Sequence, residues 1–158
     1  QPNFVEFKDA LKTGRFWHMA SLLFLGMFYG LYIASVYKTT AQNSLSDLTL
    51  TFAGAIGSVC NGSSRIAWAA LQDAIGFRRV YFLLLSLQLV VSATIYHVKD
   101  NEYLYIIWVA CSFLCEGGHF SCFPAACVKI FGIQHGGQIF TIMFFAIPIS
   151  SLASFFIV

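Results

Sequence analysis

Five runs of mostly apolar residues occupy this chain, each about as long as the roughly 20 residues that carry a helix across a lipid bilayer. They are Phe16–Tyr37, Leu48–Gln72, Val80–Val98, Tyr103–Phe131 and Gln138–Val158. The chain is 58% hydrophobic and only 10% charged, against about 25% charged residues in soluble domains. So much apolar surface exceeds what one soluble core can bury. The expected fold is therefore all-α, a polytopic transmembrane helix bundle with five spans over residues 16–158. Residues 1–15 precede it, with Glu6, Lys8, Asp9, Lys12 and Arg15 alternating with Phe4, Phe7 and Leu11 at helical spacing. That pattern fits a short amphipathic lead-in at the membrane interface, and equally a solvated turn.

Lysine and arginine fall unevenly between the connecting segments. Lys8, Lys12, Arg15, Arg78, Arg79 and Lys129 lie on one side of five alternating spans, and Lys38 and Lys99 on the other. The positive-inside rule places the first set in the cytoplasm, or in the matrix if the membrane is the mitochondrial inner one. The chain opens on Gln1 and stops, still apolar, at Val158, so a piece of a longer polypeptide is expected.

The second run carries the residue hardest to explain as packing. Arg65 sits inside it, and a charge at the centre of a membrane helix costs roughly 2.5–3.5 kcal/mol on insertion scales. It needs a partner, a watery cavity or a ligand. Counting along the spans puts Asn61 near mid-depth, Arg65 a turn further in, and Glu116 and His119 of the fourth run at similar depth, three residues apart on one helical face. Two readings follow. Arg65 faces a central cavity and binds a carboxylate through its planar fork, with Glu116 and His119 setting the field or carrying a proton. Alternatively Arg65 and Glu116 pair and hold the bundle together. Gln88, Tyr29 and Tyr32 are lesser candidates at cavity height.

Small-residue spacings, Gly26/Gly30 in the first run and Gly54/Gly57 in the second, would allow close helix approach. Gly117–Gly118 and Pro124 are expected to break and bend the overlong fourth run, and Pro148 the fifth. The stripe Cys111, Cys115, His119, Cys122 has soft ligands, but four ligands on one straight helix cannot close a tetrahedral shell. No metal, cofactor or nucleic acid is expected, and no hydrolase triad, Walker loop or dinucleotide fingerprint appears. The chain does not read as an enzyme.

Asn61, Gly62, Arg65, Trp68, Leu71, Asp73, Gly76, Arg78 and Arg79 together resemble the signature of the major facilitator superfamily, Gly-x-x-x-Asp-x-x-Gly followed by two basic residues. The preceding Asn-Gly-x-x-Arg is more specifically similar to the oxalate:formate antiporter and monocarboxylate transporter branch. Leu11, Thr13, Phe16 and Trp17 resemble the lead into that branch's seventh helix. Gly117, Gly118, Phe120, Phe123, Pro124, Phe131 and Gly132 resemble its tenth, and Gly136–Phe140 the entry to its eleventh.

The resemblance implies helices seven to eleven of a twelve-helix secondary transporter for small organic anions, working by alternating access. By motif it assigns carboxylate binding to Arg65 and a cytoplasmic gating cluster to Asp73, Gly76, Arg78 and Arg79. Partners would be membrane lipid, the missing N-terminal half, and a small carboxylate. Ala69, Ser64, Ala74 and Phe77 depart from the pattern, and the fifth run has no lysine or arginine. One cation suits a monocarboxylate better than a dicarboxylate. The same losses suit the alternative, a transporter-derived structural subunit of a larger membrane complex such as a mitochondrial respiratory assembly.

Overall fold

The computed structural model describes residues 7–156. Residues 1–6 of the lead-in and 157–158 of the fifth run lie outside the described residues. The protein is all helical there: α1 (Phe7–Lys12), α2 (Gly14–Ala41), α3 (Asp47–Ile75), α4 (Phe77–Thr94) continued by a 3-10 turn (Ile95–Val98), α5 (Glu102–Phe131), α6 (Gly136–Phe144) and α7 (Ala146–Phe155).

The helix ends follow from local chemistry. Thr13, Ser46 and Asn101 are extended N-caps whose side-chain oxygens accept from the backbone amides of Phe16, Thr49 and Leu104 at 3.3, 3.2 and 3.1 Å, pairing donors that a helix start leaves orphaned. Helices α3 and α5 end alike. Gly76 and Gly132 take positive φ, 87° and 90°, and their amides return to the carbonyls of Gln72 and Val128 at 2.9 and 3.0 Å. A side chain at either φ would be strained, so glycine turns the chain there.

Helix α5 is the centre of the bundle, with α2, α3, α4 and α6 packed around it. Its buried residues recur on every face, from Tyr105 to Phe131, as expected of a helix surrounded by others. It runs unbroken through Gly117, Gly118 and Pro124, which corrects the expectation of a break. The glycines serve close packing instead. A methyl group on Gly117 would overlap the Asn61 carbonyl and Ser64 Oγ of α3, and one on Gly118 would overlap Leu84 and press on Trp68. Proline forfeits a single backbone bond in a helix of 30 residues held on several sides. Pro148 does interrupt the fifth run. Its missing N–H leaves no donor for the preceding turn, and the helix divides at Phe145, whose amide bonds instead to Ile142 O at 3.1 Å.

Gly14–Ala41, Phe77–Val98, Glu102–Phe131 and Gly136–Phe155 are long and apolar enough to cross a membrane. Helix α3 matches them in length, at 29 residues or about 44 Å. It is less apolar because Ser58, Asn61, Ser63, Ser64, Arg65 and Gln72 interrupt it. That polarity is concentrated at mid-helix, and the packing explains why. One apolar cluster gathers Met19, Leu23, Met27, Trp68, Leu84, Cys122 and Phe123. A second gathers Ile33, Val36, Leu50, Ala53, Ile95, Tyr105 and Val109. Helices α2, α3 and α5 contribute to both clusters, α4 to the first and its 3-10 continuation to the second, and the stretch between them carries the polar side chains. A polar belt thus crosses the bundle between two apolar layers.

Candidate functional site

Three residues of the belt form a chain of contacts. Arg65 Nη2 donates to Asn61 Oδ1 at 3.0 Å, and Asn61 Nδ2 donates to Glu116 Oε2 at 3.1 Å. Arg65 and Asn61 are one turn apart on α3, so helical geometry alone brings them together. Glu116 comes from α5. The guanidinium can only donate, which fixes the Asn61 amide with its oxygen toward Arg65 and its nitrogen toward Glu116.

The expected direct pair of Arg65 with Glu116 is not what forms. Among the described residues, neither takes part in an ion pair within 4.0 Å, and the amide of Asn61 stands between them. Glu116 is buried at 8% exposure, while Arg65 is exposed with its guanidinium carbon 4.8 Å from the centroid of the Phe120 ring. The fork of Arg65 therefore keeps donors free on an open face.

Two contacts beside Arg65 set that orientation. Ser64 Oγ and Trp68 Nε1 both donate to the carbonyl of Leu114 on α5, at 3.1 and 3.0 Å. Residues 64 and 68 are one turn apart, so they clamp one face of α3 onto α5, and Gly117 lets the backbones approach. The neighbouring position, 65, then lies at the edge of the seam, where its guanidinium stands over Phe120 of α5 and its other side is open. In the sequence Ser64 stands out only as a departure from a glycine pattern, because the partner carbonyl is fifty residues away and leaves no local signal.

His119 is fully buried but belongs to a different group. Its Nε2 lies 2.8 Å from Gln88 Oε1, and Gln88 Nε2 donates to Gly26 O at 2.8 Å. Because the glutamine nitrogen is committed to a carbonyl, its oxygen accepts, so His119 carries its proton on Nε2. Tyr81 packs edge-on against the imidazole at 5.6 Å and bonds to Leu22 O at 3.0 Å. Helices α2, α4 and α5 are tied together here. His119 therefore does not join Arg65, correcting the grouping expected from depth. Glu116 and His119 do share a face, but it is the face toward α2.

Gly26 and Gly30 explain how that face closes. A methyl group on Gly26 would overlap the imidazole of His119, and one on Gly30 would stand 3.2 Å from Glu116 Cγ. The expected close-approach motif thus makes room for two buried polar side chains of α5. Gly54 and Gly57 likewise receive the side chains of Tyr37 and Phe113. Tyr29, beside Gly30, bonds to Ser112 at 3.3 Å, one turn from Glu116 along α5 and outside the Arg65–Asn61–Glu116 chain.

The motif residues Asp73, Gly76, Arg78 and Arg79 lie at the far end of α3 and the start of α4, all exposed. Asp73 pairs with Lys129 of α5 at 3.0 Å, a partner that sequence spacing did not single out. The Cys111, Cys115, His119, Cys122 stripe remains on one helix. No cluster of three His, Cys, Asp or Glu side chains suited to a metal occurs among the described residues.

No family model matches the chain. It is similar to apicoplast pyruvate carrier 1 of Toxoplasma gondii, with 30% identity over an alignment of 158 positions that takes in 94% of this chain. The chain spans 28% of that carrier's length, so the likeness concerns a section of a much longer protein.

Proposed function

We propose that this chain is the C-terminal section of a secondary transporter that moves small organic anions, a pyruvate-like monocarboxylate first among them, with Arg65 as the anion-binding cation. The observation that carries the reading is the guanidinium of Arg65, held at mid-bundle in a polar belt with free donors on an open face. The similarity to a carrier named for pyruvate supports the substrate class. A planar fork matched to a carboxylate gives both affinity and orientation.

In this reading the bundle is half of a major-facilitator fold, and alternating access comes from rocking against a second bundle that faces Arg65. Asp73 and Lys129, with Arg78 and Arg79 nearby in sequence, would form the gate at one end. The test is uptake of labelled pyruvate by proteoliposomes containing the full-length protein. Arg65→Gln keeps a hydrogen-bonding side chain and removes the charge. Hydrogen bonds to charged groups contribute roughly 1.5–3 kcal/mol each, so a loss of about 100-fold is expected, and about tenfold for Arg65→Lys. Uptake unchanged in Arg65→Gln removes Arg65 from the site. The structural-subunit alternative predicts no carboxylate uptake at all and helices covered by unrelated subunits.

A further inference from the structure

We propose that Glu116 is a specificity-determining residue, excluding substrates that carry a second anionic group from the Arg65 site. The inference rests on the transport reading above and concerns what surrounds the bound anion rather than what binds it.

The belt holds one cation and one carboxylic acid, separated by a single amide with contacts of 3.0 and 3.1 Å. The other lysines and arginines among the described residues, Lys8, Lys12, Arg15, Lys38, Arg78, Arg79, Lys99 and Lys129, lie in α1, at helix ends or in connections. None reaches the stretch between the two apolar clusters. His119 is held at Gln88 through Nε2, in a group that does not include Arg65.

Counting charge at the site then discriminates by substrate. With Glu116 ionised, Arg65 and Glu116 sum to zero, a monocarboxylate brings the total to minus one, and a dicarboxylate to minus two. The second carboxylate has no cation to meet in this bundle and a buried carboxylate nearby to repel it. Asn61 sharpens the contrast. Its fixed amide presents an oxygen to Arg65 and turns its nitrogen to Glu116, so the atom beside the guanidinium is an acceptor and not a donor for an anion bound there.

The experiment compares pyruvate with malonate, also of three carbons but with two carboxylates, in proteoliposomes of the full-length protein at neutral pH. In the parent protein, malonate is expected to compete with labelled pyruvate at least about tenfold more weakly than lactate does, a ratio worth about 1.4 kcal/mol. In Glu116→Gln, malonate competition strengthens about tenfold relative to lactate. Glu116→Asp keeps the charge and should keep the discrimination even if total uptake falls, which separates charge from packing. Malonate competing as well as lactate in the parent overturns the proposal without any variant. So does an unchanged malonate-to-lactate ratio in Glu116→Gln when Arg65→Gln is inactive, and then only the role of Glu116 falls. Full uptake by Arg65→Gln overturns the site itself and this proposal with it.

Discussion

Gly117→Ala is the change that most directly tests how α3 is held against α5. The new methyl group would overlap the backbone carbonyl of Asn61 and Ser64 Oγ, with the Asn61 carbonyl carbon at 3.2 Å. A backbone carbonyl cannot swing aside as a flexible side chain can, so the helices must part. Separation stretches the Ser64 and Trp68 bonds to Leu114, now 3.1 and 3.0 Å, and the Asn61–Glu116 bond at 3.1 Å.

Overpacking costs about 1–3 kcal/mol, and weakening three hydrogen bonds adds up to roughly 1.5–4.5 kcal/mol. The helix propensity of alanine over glycine returns about 1 kcal/mol. The net is a destabilisation of roughly 1.5–6.5 kcal/mol. Gly62→Ala, on the exposed side of α3 beside Asn61, is the control, because nothing lies within 4 Å of its added methyl. It should gain up to about 1 kcal/mol from propensity alone. Thermal unfolding in detergent, followed by loss of the monodisperse peak, gives the comparison. At roughly 2–4 °C per kcal/mol for a chain of this size, Gly117→Ala should melt several degrees below the parent and Gly62→Ala at or above it. Gly117→Ala melting as high as Gly62→Ala would mean that α3 and α5 do not meet at this seam, and the placement of Arg65 would lose its basis.

Gly76→Ala forces a side chain into φ 87°, ψ 155°, a region almost confined to glycine, and should cost roughly 1–3 kcal/mol in the same melting assay; an unchanged melting point would refute the turn. Gln88→Leu leaves the buried His119 Nε2–H without its acceptor at 2.8 Å, with Nδ1 already unpartnered. The expected loss is about 1–3 kcal/mol, and a stabilised variant would show that the imidazole is not held by Gln88.

The elements and their ends were legible from local pattern. Runs of membrane length gave the helices. Pro148 marked an interruption, Gly76 and Gly132 occur where the chain must turn, and Arg65 stood out because a cation inside an apolar run demands an explanation wherever it points. Asn61 and Arg65 could be paired from spacing alone, since residues four apart meet on one helix. Other readings failed for one common reason. Gly117, Gly118 and Pro124 look like breakers in isolation, yet α5 stays whole because surrounding helices hold it and the glycines admit α3 and α4. Glu116 and His119 look like companions of Arg65 by depth, yet only Glu116 reaches it, through Asn61, while His119 closes onto Gln88 and Gly26.

Composition and periodicity in the sequence determined that this protein is a bundle of membrane-length helices carrying one arginine at mid-depth. The tertiary structure decided which polar groups of the belt touch. Periodicity fixes neighbours along a helix, but rotation about the helix axis is set by partners distant in sequence. Here those partners are the Leu114 carbonyl that clamps α3 and the cavities left by Gly26 and Gly30.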